Sequence, residues 1–156
     1  MSKKLSLILL VVLIVLLGFL RDYLFLNINW IYLNLTTGRP NQALREFHFL
    51  LNWEVASIEK LKWFLTVLFT LLFLLNTWLV IHLAFKKKFF NLITLGLFGL
   101  LFAVSGVLYL VAYFSDSMRD LYGIIRTLMG MAQSFMPLMI LFVLFKFLPV
   151  QNQKNT

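Results

Sequence analysis

Residues 61–114 read LKWFLTVLFTLLFLLNTWLVIHLAFKKKFFNLITLGLFGLLFAVSGVLYLVAYF. Two apolar runs, 61–85 and 89–114, flank Lys86, Lys87 and Lys88. A helix needs about 20 apolar residues to cross about 30 Å of hydrocarbon, and each run is that long. An excess of Lys and Arg marks the cytoplasmic side of a membrane. The stretch therefore predicts two spans joined by a cytoplasmic turn.

Outward from this hairpin the same composition recurs. Residues 5–20 are apolar, and Arg21 and Asp22 follow at the level of a headgroup boundary, with Tyr23 and its neighbours as anchors. Residues 123–148 form a fourth run, interrupted by Pro137. The expected fold is all-α, a polytopic four-helix bundle in one membrane domain, 1–156. Its spans cover about 5–26, 61–85, 89–114 and 123–148, and its outer loop is 27–60. The basic start and apolar run at the N-terminus read as a signal anchor, since Gly18-Phe19-Leu20-Arg21 is a poor cleavage site.

The chain is 62% hydrophobic and 13% charged, far from the roughly 45–50% and 25% of globular proteins. It has no cysteine, which excludes disulfides, thiol nucleophiles and cysteine metal sites. A net charge of +8 would suggest nucleic acid in a soluble protein. Four spans sort the charges differently. Lys3, Lys4, Lys86, Lys87, Lys88, Lys146 and Lys154 share one side with no acid. Arg21, Arg39, Arg45, Lys60, Lys62, Arg119 and Arg126 share the other with every Asp and Glu. Both termini are thus expected in the cytoplasm, in a cytoplasmic (inner) membrane, with the lysines setting topology and meeting anionic lipid rather than nucleic acid.

In the first outer loop, Leu44, Phe47, Leu51, Val55 and Ile58 recur at spacings of three and four. This predicts a short amphipathic helix over 41–59, after a turn at Thr36-Thr37-Gly38-Arg39-Pro40-Asn41, with a bend near 57–60. It either lies on the membrane or extends the second span. His82, close to Lys86, reads as an interfacial histidine. Asn76 lies deeper, where a buried Asn usually bonds a neighbouring helix.

Spans three and four carry stripes of small residues. Gly96, Gly99, Ala103 and Gly106 form one, and Gly123, Thr127, Gly130 and Ser134 the other. Small residues let helix backbones approach where no hydrophobic drive exists between helices. The stripes predict a close hairpin of these two spans. Pro137 should kink span four, because it removes a backbone hydrogen bond.

Candidate binding residues gather at the outer level. Arg126 sits in an apolar span with Gln133 two turns further in, and ionisable groups in a span are functional-site hypotheses. Arg21 and Asp22 end span one at that level, and Arg119 and Asp120 precede span four. Guanidinium groups there suit a lipid phosphate or a partner's carboxylate; the plainer alternatives are mutual neutralisation and snorkelling. No H-E-x-x-H, G-x-S-x-G or P-loop pattern occurs, and none of the four apolar runs contains a carboxylate. Neither a catalytic set, a metal site nor a cofactor is expected. The methionines of span four read as packing residues.

The layout resembles that of small membrane proteins encoded beside exosortases in flavobacteria, the exosortase F-associated proteins. The matching residues are Arg21 near the end of span one, and Tyr122, Arg126 and Pro137 in the last span. Asn27-Ile28-Asn29-Trp30 stands where that group has an aromatic-Asp-Pro segment. The resemblance implies an accessory role near a membrane protein-sorting enzyme. The expected function is a non-enzymatic accessory or scaffold subunit. It would bind membrane lipid headgroups, another integral membrane protein or itself. A small homo-oligomeric transporter is the alternative, and an enzyme acting on a lipid-linked substrate a third reading.

Overall fold

The computed structural model describes residues 2–115 and 118–148, with the backbone alone at 118–120 and 122. Every regular element among them is helical. The helices are α1 (Lys3–Thr37), α2 (Val55–Phe85), α3 (Lys88–Phe114), α4 (Met118–Ala132) and α5 (Met136–Phe147), with a 3-10 helix at Arg45–Asn52. Three of them, α1, α2 and α3, are long and apolar enough to cross a membrane. A fourth crossing is reached if α4 and α5, bent by 57°, count as one broken span.

α1 runs further than the expected 5–26. Its 35 residues extend about 52 Å at 1.5 Å per residue, far more than a hydrocarbon core. The reason lies in residues 27–37, where the apolar spacing continues past Arg21. Ile28 and Ile31 are buried against Ala43, Phe47, Leu50 and Ile58, a second core distinct from that of the bundle. Gly38 ends the helix in the left-handed conformation (φ 67°), its N–H bonded to the Asn34 carbonyl at 3.0 Å.

The expected amphipathic helix over 41–59 is instead two elements. The 3-10 helix carries Phe47 and Leu50 inward, while Val55, Ile58 and Glu59 already belong to α2. The break falls at Trp53 and Glu54, both extended, rather than at 57–60. Asn27 on α1 explains how the segment is held. It is buried, donates to the Tyr23 carbonyl (2.8 Å) and accepts from the Leu44 N–H (2.8 Å). We call this end of the molecule the cap end and the opposite one, at Lys86–Lys88, the lysine end.

At the lysine end α2 and α3 join in a two-residue turn. Lys86 caps α2 with φ 53°, an unusual left-handed conformation for a residue other than glycine. Beneath it Phe85, Phe90 and Phe145 pack ring on ring, Phe90 and Phe145 stacked at 4.1 Å. The bundle core continues through Phe73, Ile81, Phe98 and Leu141 to Ile14. Large apolar side chains such as Ile8, Phe19, Leu92 and Leu100 point outward. Contiguous exposed apolar surface of this extent fits hydrocarbon rather than water.

The α4–α5 break follows from Pro137. Proline has no N–H, and in a helix its ring clashes with the carbonyl four residues earlier, which here is Gln133. α4 accordingly stops at Ala132, and α5 begins at Met136 with Pro137 in its first turn. The Ser134 hydroxyl accepts the Met136 N–H (3.2 Å) and donates to the Met131 carbonyl (2.7 Å), so it bridges the break between the two helices.

Candidate functional site

Gln133 stands at this break and points into the bundle, 2% exposed. Its amide nitrogen donates to the Thr66 carbonyl (2.7 Å) and the Thr70 hydroxyl (2.8 Å) on α2. Its amide oxygen accepts from Nε of Arg21 on α1 (3.1 Å). Thr70 in turn donates to the Thr66 carbonyl (2.7 Å). The chemistry fixes the amide orientation, since guanidinium offers only donors and a carbonyl only acceptors. One side chain thus ties α1, α2 and the α4–α5 break together. In surroundings without water, leaving any of these groups unpaired would cost free energy.

Arg21 is the second hub. Beyond Gln133, its guanidinium pairs with the Asp22 carboxylate at 2.7 Å and lies 5.4 Å from the centre of the Phe25 ring. Nη2 also lies over Gly130, only 3.7 Å from where a Cβ would stand. Arg21 is 23% exposed and Asp22 71%, so the pair reaches from the helix contact to the surface. The level of this knot follows from helix rise. Thr70 is 15 residues from Phe85, or about 22 Å along α2 from the lysine end.

Arg21 and Asp22 pair, and Arg21 also donates to Gln133. The side chains of Arg119 and Asp120 lie outside the described residues. Arg126 is exposed, and it forms no hydrogen bond or ion pair among the described residues. It stands within electrostatic range of Lys62 on α2. Lys62 lies 4.4 Å over the Tyr32 ring, and the Tyr32 hydroxyl donates to Glu59 at 2.9 Å.

The small-residue stripes differ more from expectation. α3 and α4 do form a hairpin, but a Cβ at Gly96, Gly99, Gly106 or Gly123 would meet no atom within 4 Å. The glycine faces are open instead of interlocked, and Ala103 on the same stripe is exposed. Thr127 bonds its own helix at the Gly123 carbonyl (2.9 Å), and the Ser134 hydroxyl accepts from the Met136 N–H at the start of α5. Gly130 is the stripe glycine that another helix approaches. The physical reason is that Ser105, Ala112 and Ile125 are buried on a neighbouring sector, which turns the glycines outward.

Asn76 also departs from expectation. It is 3% exposed, yet neither its amide nitrogen nor its oxygen has a partner, and the Thr77 hydroxyl beside it has none. His82 accords with a position near the α2–α3 turn. It stacks on Trp78 and lies 2.9 Å from the Asn91 amide. Thr66, Thr70, Asn27 and Lys62 carry the contacts that sequence reasoning missed. Thr66 and Thr70, four apart on one face of α2, are a signal visible in the sequence.

The fold thus defines a class, an all-helical chain with apolar helices suited to a membrane. No family model, curated protein or solved structure matches the chain.

Proposed function

We propose that this chain is a four-span protein of the cytoplasmic membrane with both termini inside. It serves as a non-enzymatic accessory or scaffold subunit that docks a partner membrane protein at its outer face. In this reading α4 and α5 are one bent span and the cap end is outside. The lysine-only flanks support that sidedness.

The observation that carries the docking role is a contrast between two arginines. Arg21 is consumed by Gln133, Asp22 and Phe25, whereas Arg126 is exposed and unpaired among the described residues, two turns from Gln133. An unpaired guanidinium at a membrane boundary suits a carboxylate or phosphate brought by something else. The similarity of layout to exosortase F-associated proteins supports the same role.

Affinity purification from the native membrane tests it. Arg126→Ala should lower recovery of the co-purifying partner severalfold, without change in helix content. Unchanged recovery would remove the docking reading.

The transporter reading has one observation in its favour, the unpartnered polar atoms of Asn76, Thr77 and Ser105 inside the bundle. Solute flux across vesicles that contain only this protein, abolished by Asn76→Leu, would replace the scaffold reading.

A further inference from the structure

The 44–53 segment buries one set of apolar side chains and leaves another exposed. Phe47 and Leu50 of its 3-10 helix are enclosed in the second core. Leu44 and Trp53, which flank that helix, are each about half exposed. Phe49 is more exposed than either, and its ring meets that of Trp53 edge to face at 6.1 Å. Arg45, Glu46, His48 and Asn52 are exposed as well. The surface that the second core leaves free is therefore itself amphipathic.

The level of this surface is fixed by α1. The Leu44 N–H donates to the Asn27 side chain, and the Phe47 ring meets that of Tyr23 at 5.5 Å. Tyr23 and Asn27 are four residues apart, about 6 Å along the helix. A crossing of about 20 residues that starts at Leu5 ends at Leu24. Arg21 and Asp22, the first charges after the apolar run, mark the same boundary. Headgroups add about 6 Å on each side of the hydrocarbon, so a segment tied to Tyr23 and Asn27 lies in that layer. Phe49 is two residues past Phe47, about 4 Å along a 3-10 axis. The exposed apolar surface of α1 reaches the segment through Tyr23 and Leu26, both exposed.

We propose that the 44–53 segment seats in the headgroup layer of the cap-end leaflet, with Phe49 and Trp53 at its boundary with the acyl chains. The inference rests on the reading of α1 and α2 as membrane spans and needs no partner protein. Level and continuity select lipid as the occupant. The exposed rings are held at the depth that aromatic side chains favour, beside apolar surface already suited to hydrocarbon. Arg45, Glu46, His48 and Asn52 supply the polar side that a segment lying in the interface requires.

The chain has no cysteine, so one introduced cysteine carries one nitroxide label. The full chain is labelled at Phe49→Cys, Glu46→Cys or Phe19→Cys and placed in phospholipid vesicles. Collision of each label with oxygen, which concentrates in lipid, is compared with collision with a water-soluble nickel chelate. All three side chains are exposed, so the variants are expected to fold, which circular dichroism checks. Trp53→Cys gives the same reading should Phe49→Cys not fold. The ratio of oxygen to chelate collision at Phe49→Cys should lie severalfold above that at Glu46→Cys and approach that at Phe19→Cys, within the apolar run of α1. A ratio at Phe49→Cys as low as at Glu46→Cys would put the segment in water and overturn the proposal. So would shielding of the Phe49→Cys label from both reagents, because protein would then cover the patch. In either case a high ratio at Phe19→Cys leaves the membrane reading standing. A low ratio at Phe19→Cys would remove that reading and the proposal with it.

Discussion

Gln133, which the sequence places among candidate binding residues, and Gly99, which it places in a packing stripe, have opposite surroundings. Gln133 is enclosed and bonded to two helices, while Gly99 faces open space. The difference teaches what drives association in apolar surroundings. A glycine permits close approach but gains nothing unless another helix arrives. A buried amide with no water at hand must find partners, and so it positions the helices around it.

The sharpest way to break this comparison is to remove the amide. Gln133→Leu should cost about 3 kcal/mol, since it deletes one bond to a charged donor and two neutral ones. Reversible unfolding in mixed micelles would measure it. A loss below about 0.5 kcal/mol would mean that the knot holds nothing. Asn27→Leu removes the corresponding tie at the cap end. It should cost about 2 kcal/mol and speed hydrogen exchange over 41–54, where unaltered exchange would contradict the anchoring role of Asn27.

A smaller effect of opposite sign is expected at the turn. Lys86 holds a left-handed conformation that costs a residue with a Cβ about 1 kcal/mol, so Lys86→Gly should stabilise the chain by up to that amount. Smallest of all is Gly99→Leu, which should change the unfolding free energy by less than about 0.5 kcal/mol, because the added side chain meets no other atom within 4 Å at its Cβ. A large loss there would close the gap between the two regions and restore the packed-stripe expectation.

Much of the helical layout was legible in the sequence. The runs at 61–85 and 89–114 and the lysine turn between them correspond closely to α2 and α3, because composition and length alone decide such helices. Pro137 marked the break, because its clash with the carbonyl of Gln133 is local. The extension of α1 to Thr37 was hidden by Asn27, Asn29 and Asn34, which read as loop residues. Asn27 is in fact a buried tie, and that depends on a segment 17 residues away. The boundary at Trp53 and Glu54 escaped because a 3-10 helix and the first turn of α2 present one merged apolar spacing. The candidate site was legible as a set of residue types but not as a set of pairs. Arg21 bonds to Gln133 at the 57° bend, an orientation that spacing on a straight helix does not contain.

The central claim is that Arg21 and Gln133 act as one interaction across α1 and the α4–α5 break. A double-mutant cycle with Arg21→Met and Gln133→Leu, read by unfolding in mixed micelles, tests it most directly. A coupling energy of about 1–2 kcal/mol is predicted. Strict additivity, with coupling within about 0.3 kcal/mol of zero, would contradict it.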